Sequence, residues 1–209
     1  MKKLLLLLLF VPLIFSCGDK DQTKKLEDRI AELEKKIENN LSLAIGDAYQ
    51  GGIIFYLDEN GGGLIAAPSD QSNYFFIENG SYDKLILSAE WGCKGISIAG
   101  ADGTAIGTGN QNTIDIEEGC TTSGTAADIC ANLTLGGYSD WFLPSKDELN
   151  EMYINLYLQG FGGFSNYGYW SSTESHKNNA WWQFFSNGSQ NRDSKEVENG
   201  IYVRAVRAF

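Results

Sequence analysis

His176 is the only histidine in the chain, so a hydrolase relay of the Ser-His-acid type would have to use it. It sits in Glu174-Ser175-His176-Lys177-Asn178, a polar stretch where an exposed surface histidine is the plainer reading. The sequence contains no His-Glu-x-x-His, Gly-x-Ser-x-Gly or phosphate-binding Gly-Lys-Ser/Thr, and Gly107-Thr108-Gly109 is too short to read as nucleotide binding. Two acid pairs remain, Glu117-Glu118 and Asp147-Glu148. A glycosidase needs two carboxyls about 5–9 Å apart across a cleft. The second pair opens a helix, where acids complement the dipole, and the first lies in a loop-like stretch. Asp102-Gly103-Thr104, Asn110-Gln111-Asn112 and Asp115 offer oxygens of the kind that hold calcium. Turn-forming Asp and Asn account for them equally well, and they fit no EF-hand. Calcium stays open, no metal is assigned, and no other cofactor is indicated.

The aromatic residues Trp170, Trp181, Trp182 and Tyr202 fall in strand-like runs. Side chains alternate faces along a strand. Trp170 and Trp181 are expected in the core and Trp182 outside, where a ring beside polar residues could stack on a sugar or anchor a protein contact.

These residues need elements to position them. Ile53 to Leu57 reads as a buried strand, 58–63 as a turn and Leu64 to Ala67 as the return strand. Residues 92–122, rich in Gly, Thr, Asn and Asp, read as a long ordered loop. Ala126, Ile129, Cys130 and Leu133 fall on one helical face, stopped by Gly136-Gly137. Ser145-Lys146-Asp147-Glu148 is a capping box. It opens a helix that buries Leu149, Met152, Tyr153 and Leu156 and ends at Gly160. Strands are expected over 169–172, 180–185 and 201–207, separated by polar loops at 175–179 and 186–199.

The N-terminal segment is of another kind. Met1-Lys2-Lys3 precedes an apolar run from Leu4 to Phe15. That run suits a secretory signal and is shorter than the about 20 residues a membrane-spanning helix needs. It ends at Ser16-Cys17, which resembles the lipobox of bacterial lipoproteins, with Cys17 as the lipid-bearing residue; an ordinary signal cleaved near Ser16 is the alternative. Residues 18–44 read as a helical stalk. Leu26, Ile30, Leu33 and Ile37 recur at spacings of four and three with charges between them, a short heptad seam that serves either an oligomerising stalk or a single spacer helix. Residues 45–209 form the domain. Outside the cytoplasm disulfides can form, and Cys93, Cys120 and Cys130 remain after Cys17. Cys130, in an apolar helical stripe, is expected buried and reduced, which leaves Cys93 with Cys120 as the disulfide. The net charge is −11 for the chain. Residues 42–209 hold 8 basic and 20 acidic residues, a net of −12, a field that repels nucleic acid and sulfated glycans.

The run from Gly136 through Trp141-Phe142-Leu143-Pro144-Ser145 to Leu149 resembles the signature of the Lcl-type (Legionella collagen-like C-terminal) domain family. Tyr169 to Glu174 resembles its second block, Val203 to Arg207 its closing strand and Gly51 to Tyr56 its opening one. The resemblance implies an α+β, C-type-lectin-like fold shared with formylglycine-generating enzymes: two helices packed on short, mostly antiparallel strands with long loops, here preceded by the stalk. It also implies extracellular binding, in some members of glycosaminoglycans, often as a trimer on a stalk. The enzyme cousins use cysteines late in the domain, and this chain has none after Cys130. The segment 175–199 further resembles the C-terminal segment that diversity-generating retroelements vary in lectin-like proteins.

The expectation is therefore a bacterial lipoprotein of the outer membrane, facing the periplasm or the cell surface. It is not expected to be an enzyme. It would bind a glycan or protein ligand, and no nucleic acid, through Ser175, His176, Lys177, Asn178, Asn179, Trp182, Gln183, Asn191, Arg192 and Asp193. Homo-oligomers through stalk or domain, as dimer or trimer, are open. A carbohydrate hydrolase and a structural cap of a surface assembly are the alternatives.

Overall fold

The computed structural model describes residues 20–41, 43–71, 89–196 and 201–209. The apolar leader and Cys17 lie outside the described residues. The chain divides into two units, residues 1–43 and 44–209. The first contains helix α1, Lys20–Leu41. Its seam residues Leu26, Ile30 and Leu33 are 50%, 37% and 52% exposed. No helix among the described residues is long and apolar enough to cross a membrane.

The second unit is an α+β domain with two four-stranded sheets. The first sheet holds β1 (Ala48–Tyr49), β2 (Gly52–Leu57), β3 (Gly63–Ala66) and β8 (Val206–Ala208), in that order. The last strand thus returns to pair antiparallel with β3. The β2–β3 turn is set by Asp58, whose Oδ1 accepts from the backbone of Asn60 and Gly62 at 2.7 and 2.9 Å, the use of Asp that turns favour. The second sheet runs β6 (Gln190–Ser194), β5 (Asn179–Phe184), β4 (Gly168–His176), β7 (Ile201–Tyr202). All its pairings are antiparallel except β4 with β7.

Among the described residues three helices follow β3: α2 (Gly109–Gly119), α3 (Ala126–Ala131) and α4 (Lys146–Asn155). The capping box forms at α4 as its sequence predicts. Leu149, Met152 and Leu156 join Phe55, Leu64, Ala66, Phe142, Tyr169, Phe185 and Val206 in one core between the sheets. Each such side chain contributes about 1.5–3 kcal/mol on burial. Tyr153, expected buried, is half-buried and stacks on Tyr157 at the margin of that core. Gly160 closes a short 3-10 turn after α4 rather than α4 itself, with φ 78°.

Three expectations are corrected. The stretch 92–122 holds the eleven-residue helix α2. Its buried stripe is Gly109, Asn112, Thr113 and Ile116, helical in spacing but mostly polar, so hydrophobic periodicity does not reveal it. The helix at 126 stops at Ala131, before Leu133 and Gly136; Gly136 and Gly137 instead make the turn between Leu135 and Tyr138. The stretch 186–199 holds strand β6, which lies at the sheet edge. Polar and charged residues are what edge strands carry, and a strand of that composition reads as loop.

Candidate functional site

The signature around Ser145 is an internal joint. Glu148 is fully buried. Its carboxylate accepts from the Ser145 N–H at 2.7 Å and from the Gly107 N–H at 2.8 Å, with Gly109 N–H at 3.5 Å. One side chain therefore caps α4 and also the start of α2. Burial pushes the Glu148 pKa up, and these backbone donors oppose the rise. The second block is equally committed. Ser171 Oγ donates to Trp181 O at 2.8 Å, Ser172 Oγ accepts from Asn112 at 3.2 Å, and Thr173 Oγ1 donates to Gly103 O at 2.8 Å while accepting from Lys146 N at 3.0 Å. All three residues are buried, as β4 is covered on both faces.

Three cations of the domain are consumed inside it. Arg204 donates to Asp70 Oδ1, Ala67 O and Gly162 O, each at 2.8 Å, with its guanidinium 3.9 Å from the Phe164 ring centre. Arg207 pairs with Asp140 and donates to Gln50 at 2.6 Å. That pairing holds the Asp140 carboxyl below the usual carboxylate range. Lys195 is fully buried, bonded to Glu174 at 2.6 Å and Ile96 O at 2.9 Å, above the Trp91 ring at 4.3 Å. Burial pulls the ammonium pKa down and Glu174 pulls it back. Nothing in the polar stretch 186–199 marks Lys195 as a core residue.

The loop carrying Cys93 is bound to this strut. Cys93 and Cys120 form a disulfide with Cα atoms 5.6 Å apart, the expected pair. Cys130 is buried and free, its thiol pKa raised by burial.

The ten residues expected to meet ligand do not share one surface, because the hairpins alternate them. On one face of the second sheet lie Asn179, Trp181 and Gln183, opposite Ser194, Arg192 and Gln190. On the other lie Ala180 and Trp182, opposite Asp193 and Asn191. The first face meets α4. Gln183, expected exposed, is fully buried, donating to Asn150 Oδ1 at 2.9 Å and Gly188 O at 3.2 Å. The correction has a simple cause: α4 covers that end of the sheet. Among the tryptophans, Trp170 meets its expectation and the other two depart from theirs. Trp170 is buried, with Nε1 on Ala89 O at 2.8 Å. Trp181, expected in the core, is half-buried, with Lys146 Nζ 5.4 Å and Arg192 Cζ 5.2 Å from its ring centre. Trp182, expected outside, is also half-buried. It packs edge-on against Phe184, and its Nε1 is buried with no partner among the described residues.

The remaining members lie at the hairpin tip and outer edge. His176 is exposed, and its Nδ1 accepts from Asn178 N at 3.0 Å. Lys177, Asn191 and Arg192 are exposed; Ser175, Asn178, Asn179 and Asp193 are half-buried. Lys94 and Lys146 pair with Glu196 and Asp147. Among the described residues, Lys177 and Arg192 are the domain's cations without a carboxylate partner. Trp181 and Lys146 are the site residues that sequence reasoning missed. The signal for Trp181 was its cross-strand register with Arg192, which the polar composition of β6 concealed; Lys146 reaches the ring from the start of α4.

Elsewhere, Asn110, Ile114, Glu117, Glu118, Asp140 and Trp141 line part of an open cleft of about 350 Å³. Burial and the neighbouring Asp128 raise the Glu117 pKa. Among the described residues no group of three or more His, Cys, Asp or Glu could hold a metal. Asn112, one of the calcium-type oxygens, is engaged by the Gly103 N–H at 3.2 Å.

An α+β domain with an internally bonded frame and a polar hairpin surface is thus the class of protein that the geometry defines. The family model described as the Lcl C-terminal domain matches residues 99–207. The chain belongs to the Lcl C-terminal domain family. The match begins after β1–β3, so the likeness of Gly51 to Tyr56 lies outside it. No curated protein matches the sequence.

Proposed function

We propose that this protein is a lipid-anchored extracytoplasmic binding protein whose C-type-lectin-like domain captures a glycan or protein ligand at the exposed end of the second sheet. The observation that carries this reading is the placement of Lys177 and Arg192. Among the described residues they are the cations left without acids, in a domain of net −12, and they stand at the hairpin tip and edge beside Trp181, His176 and Asn179. The ring holds Arg192 in place, so less side-chain freedom is lost when a ligand's acidic or carbonyl group meets it. The family's surface association and the signal-like leader ending at Cys17 support an outer-membrane lipoprotein facing the periplasm or the cell surface. The strongly acidic domain argues against nucleic acid as partner. The reading invokes no cofactor and no catalysis.

A glycan and surface-protein array probed with the chain, with and without calcium, tests this. The reading expects binding that drops by about tenfold or more in Lys177→Ala/Arg192→Ala. Undiminished binding in that variant would move the site away from this sheet. Calcium-dependent binding would reopen the metal.

One observation favours a second reading, carbohydrate hydrolysis: the cleft that holds Glu117, with its raised pKa, and Asp140. Asp140 already serves Arg207, which gives it a role in the fold. Turnover of an arrayed glycan, lost in Glu117→Gln, would establish hydrolysis over capture.

A further inference from the structure

We infer that the loop between Gly92 and Ile98 is a redox-sensitive brace for the hairpin tip: reducing the Cys93–Cys120 disulfide frees residues 93–97 and loosens the tip while the frame stays folded. The two ends of this loop are fixed without the disulfide. Before it, Trp91 is fully buried with its Nε1 donating to Ser171 O at 2.8 Å, and Glu90 O accepts from Ala126 N at 2.9 Å. After it, Ile98 is buried and its N–H donates to Glu174 at 3.1 Å, while the Glu174 N–H donates to Ala101 O at 2.6 Å. Between these ends Lys94, Gly95, Ile96 and Ser97 are all exposed, Ile96 by 52%. They bury too little apolar surface to hold one conformation by packing.

The loop nevertheless grips the tip. Gly95 N–H donates to Lys177 O at 2.8 Å, and Ile96 O accepts from the buried Lys195 Nζ at 2.9 Å. Lys195 N–H in turn donates to Asn178 O at 3.0 Å. Both tip carbonyls are therefore held from this side. Such bonds contribute little beyond those that water offers, so the crosslink to Cys120, at the end of α2, decides where the loop lies. Cys93 also has a φ of +51°, a left-handed conformation that non-glycine residues rarely adopt, and the crosslink keeps it there. A dithiol meets the half-buried Cys93 before the buried Cys120. Its thiolate bonds to Cys93 Sγ, and Cys120 leaves as a thiolate. The second sulfur of the dithiol then displaces Cys93 and closes a cyclic disulfide, so two electrons and two protons pass to the protein. Buried Cys130 takes no part. That a loosened tip weakens capture rests on the proposed function; release of the tip does not.

The test compares the full chain in detergent in three forms by hydrogen exchange: oxidised, treated with dithiothreitol, and as Cys93→Ser/Cys120→Ser. In both forms without the disulfide, the Gly95 and Lys195 amides should exchange at least about tenfold faster. The amides of Phe142 and Val206, each bonded to the other's carbonyl in the frame, should change by less than about twofold. Three results would overturn the inference: a disulfide that the dithiol leaves intact in the folded chain, undiminished protection at Gly95 and Lys195, or Phe142 and Val206 accelerating with them, since the disulfide would then hold the whole domain. The glycan and surface-protein array, probed with the oxidised and the reduced chain, is read separately. Binding should fall by about three- to tenfold on reduction, in proportion to the fraction of tips still in the binding arrangement. Equal binding by a chain whose tip amides are released would overturn the link to capture. No binding by the oxidised chain would overturn the proposed function and leave the brace to the exchange result.

Discussion

The frame segments 140–148 and 203–207 and the hairpin 175–194 both carry charged residues, yet they spend them differently. In the frame, three charges are buried and answered: Arg204 by Asp70, Arg207 by Asp140, Glu148 by the backbone of two helix starts. In the hairpin, Lys177 and Arg192 are exposed, with no acid among the described residues to answer them. The contrast separates charge that specifies a fold from charge available to a partner. A buried ion must be matched inside the protein because removal from water costs several kcal/mol, whereas an exposed one carries no such requirement.

The comparison breaks first if the frame tolerates loss of a partner. Arg204→Ala strands Asp70, whose side chain is 7% exposed, and also removes donors to Ala67 O and Gly162 O. A loss of about 3–5 kcal/mol is expected in denaturant unfolding. A loss near zero would mean that Asp70 takes up a proton or water, and the frame would not be charge-specified.

Gly109→Ala probes the joint between α2 and α4. A Cβ there would lie 2.7 Å from Ser145 N and run into the Glu148 carboxylate. Overpacking of about 1–3 kcal/mol follows, read as a lowered melting temperature. Gly95→Ala makes the matching control, since its added Cβ meets nothing within 4 Å and only its φ of +90° opposes the change.

How much of this was legible depends on where hydrophobicity marks the buried face. Helix α4 was readable because Ser145 and Glu148 announce its start and Leu149, Met152 and Leu156 its inner face. Helix α2 was hidden because Asn112 and Thr113 occupy the inner positions and are satisfied by Gly103, Ser172 and Leu143, partners distant in sequence. The disulfide followed from three cysteines, one of which sits in an apolar stripe. The faces of Trp181 and Trp182 did not follow: Trp182, not Trp181, is the register partner of Trp170, and alternation along β5 separates the two rings without saying which face is covered. The residues expected to form one ligand surface are thus divided between two faces of the sheet.

A smaller effect concerns pH. Asp140 is held below its ordinary pKa by Arg207. Its folded carboxyl therefore binds fewer protons than the unfolded one in the window between the two values. The stability it contributes is fully present above the ordinary carboxyl pKa and is lost as pH falls through the depressed one. Asp140→Asn should flatten that acid limb of the stability–pH curve. The Asp140 side chain is 63% exposed, so solvent and salt screen the contact, and added salt should shrink the difference.

The smallest expected change in stability belongs to the hairpin itself. Lys177→Ala/Arg192→Ala removes two exposed cations that no carboxylate among the described residues balances. What the fold loses is the packing of Arg192 on Trp181, an exposed cation–ring contact of about 0.5–1 kcal/mol. In a domain of net −12 the remaining acids repel one another somewhat more, which adds a little in the same direction. Unfolding free energy should therefore fall by no more than about 1 kcal/mol, against the several lost on cutting the frame at Arg204. A drop as large as that of Arg204→Ala would place Lys177 or Arg192 among the residues that hold the domain together. The hairpin would then lose its standing as a surface kept free for a partner, whatever the binding assay showed.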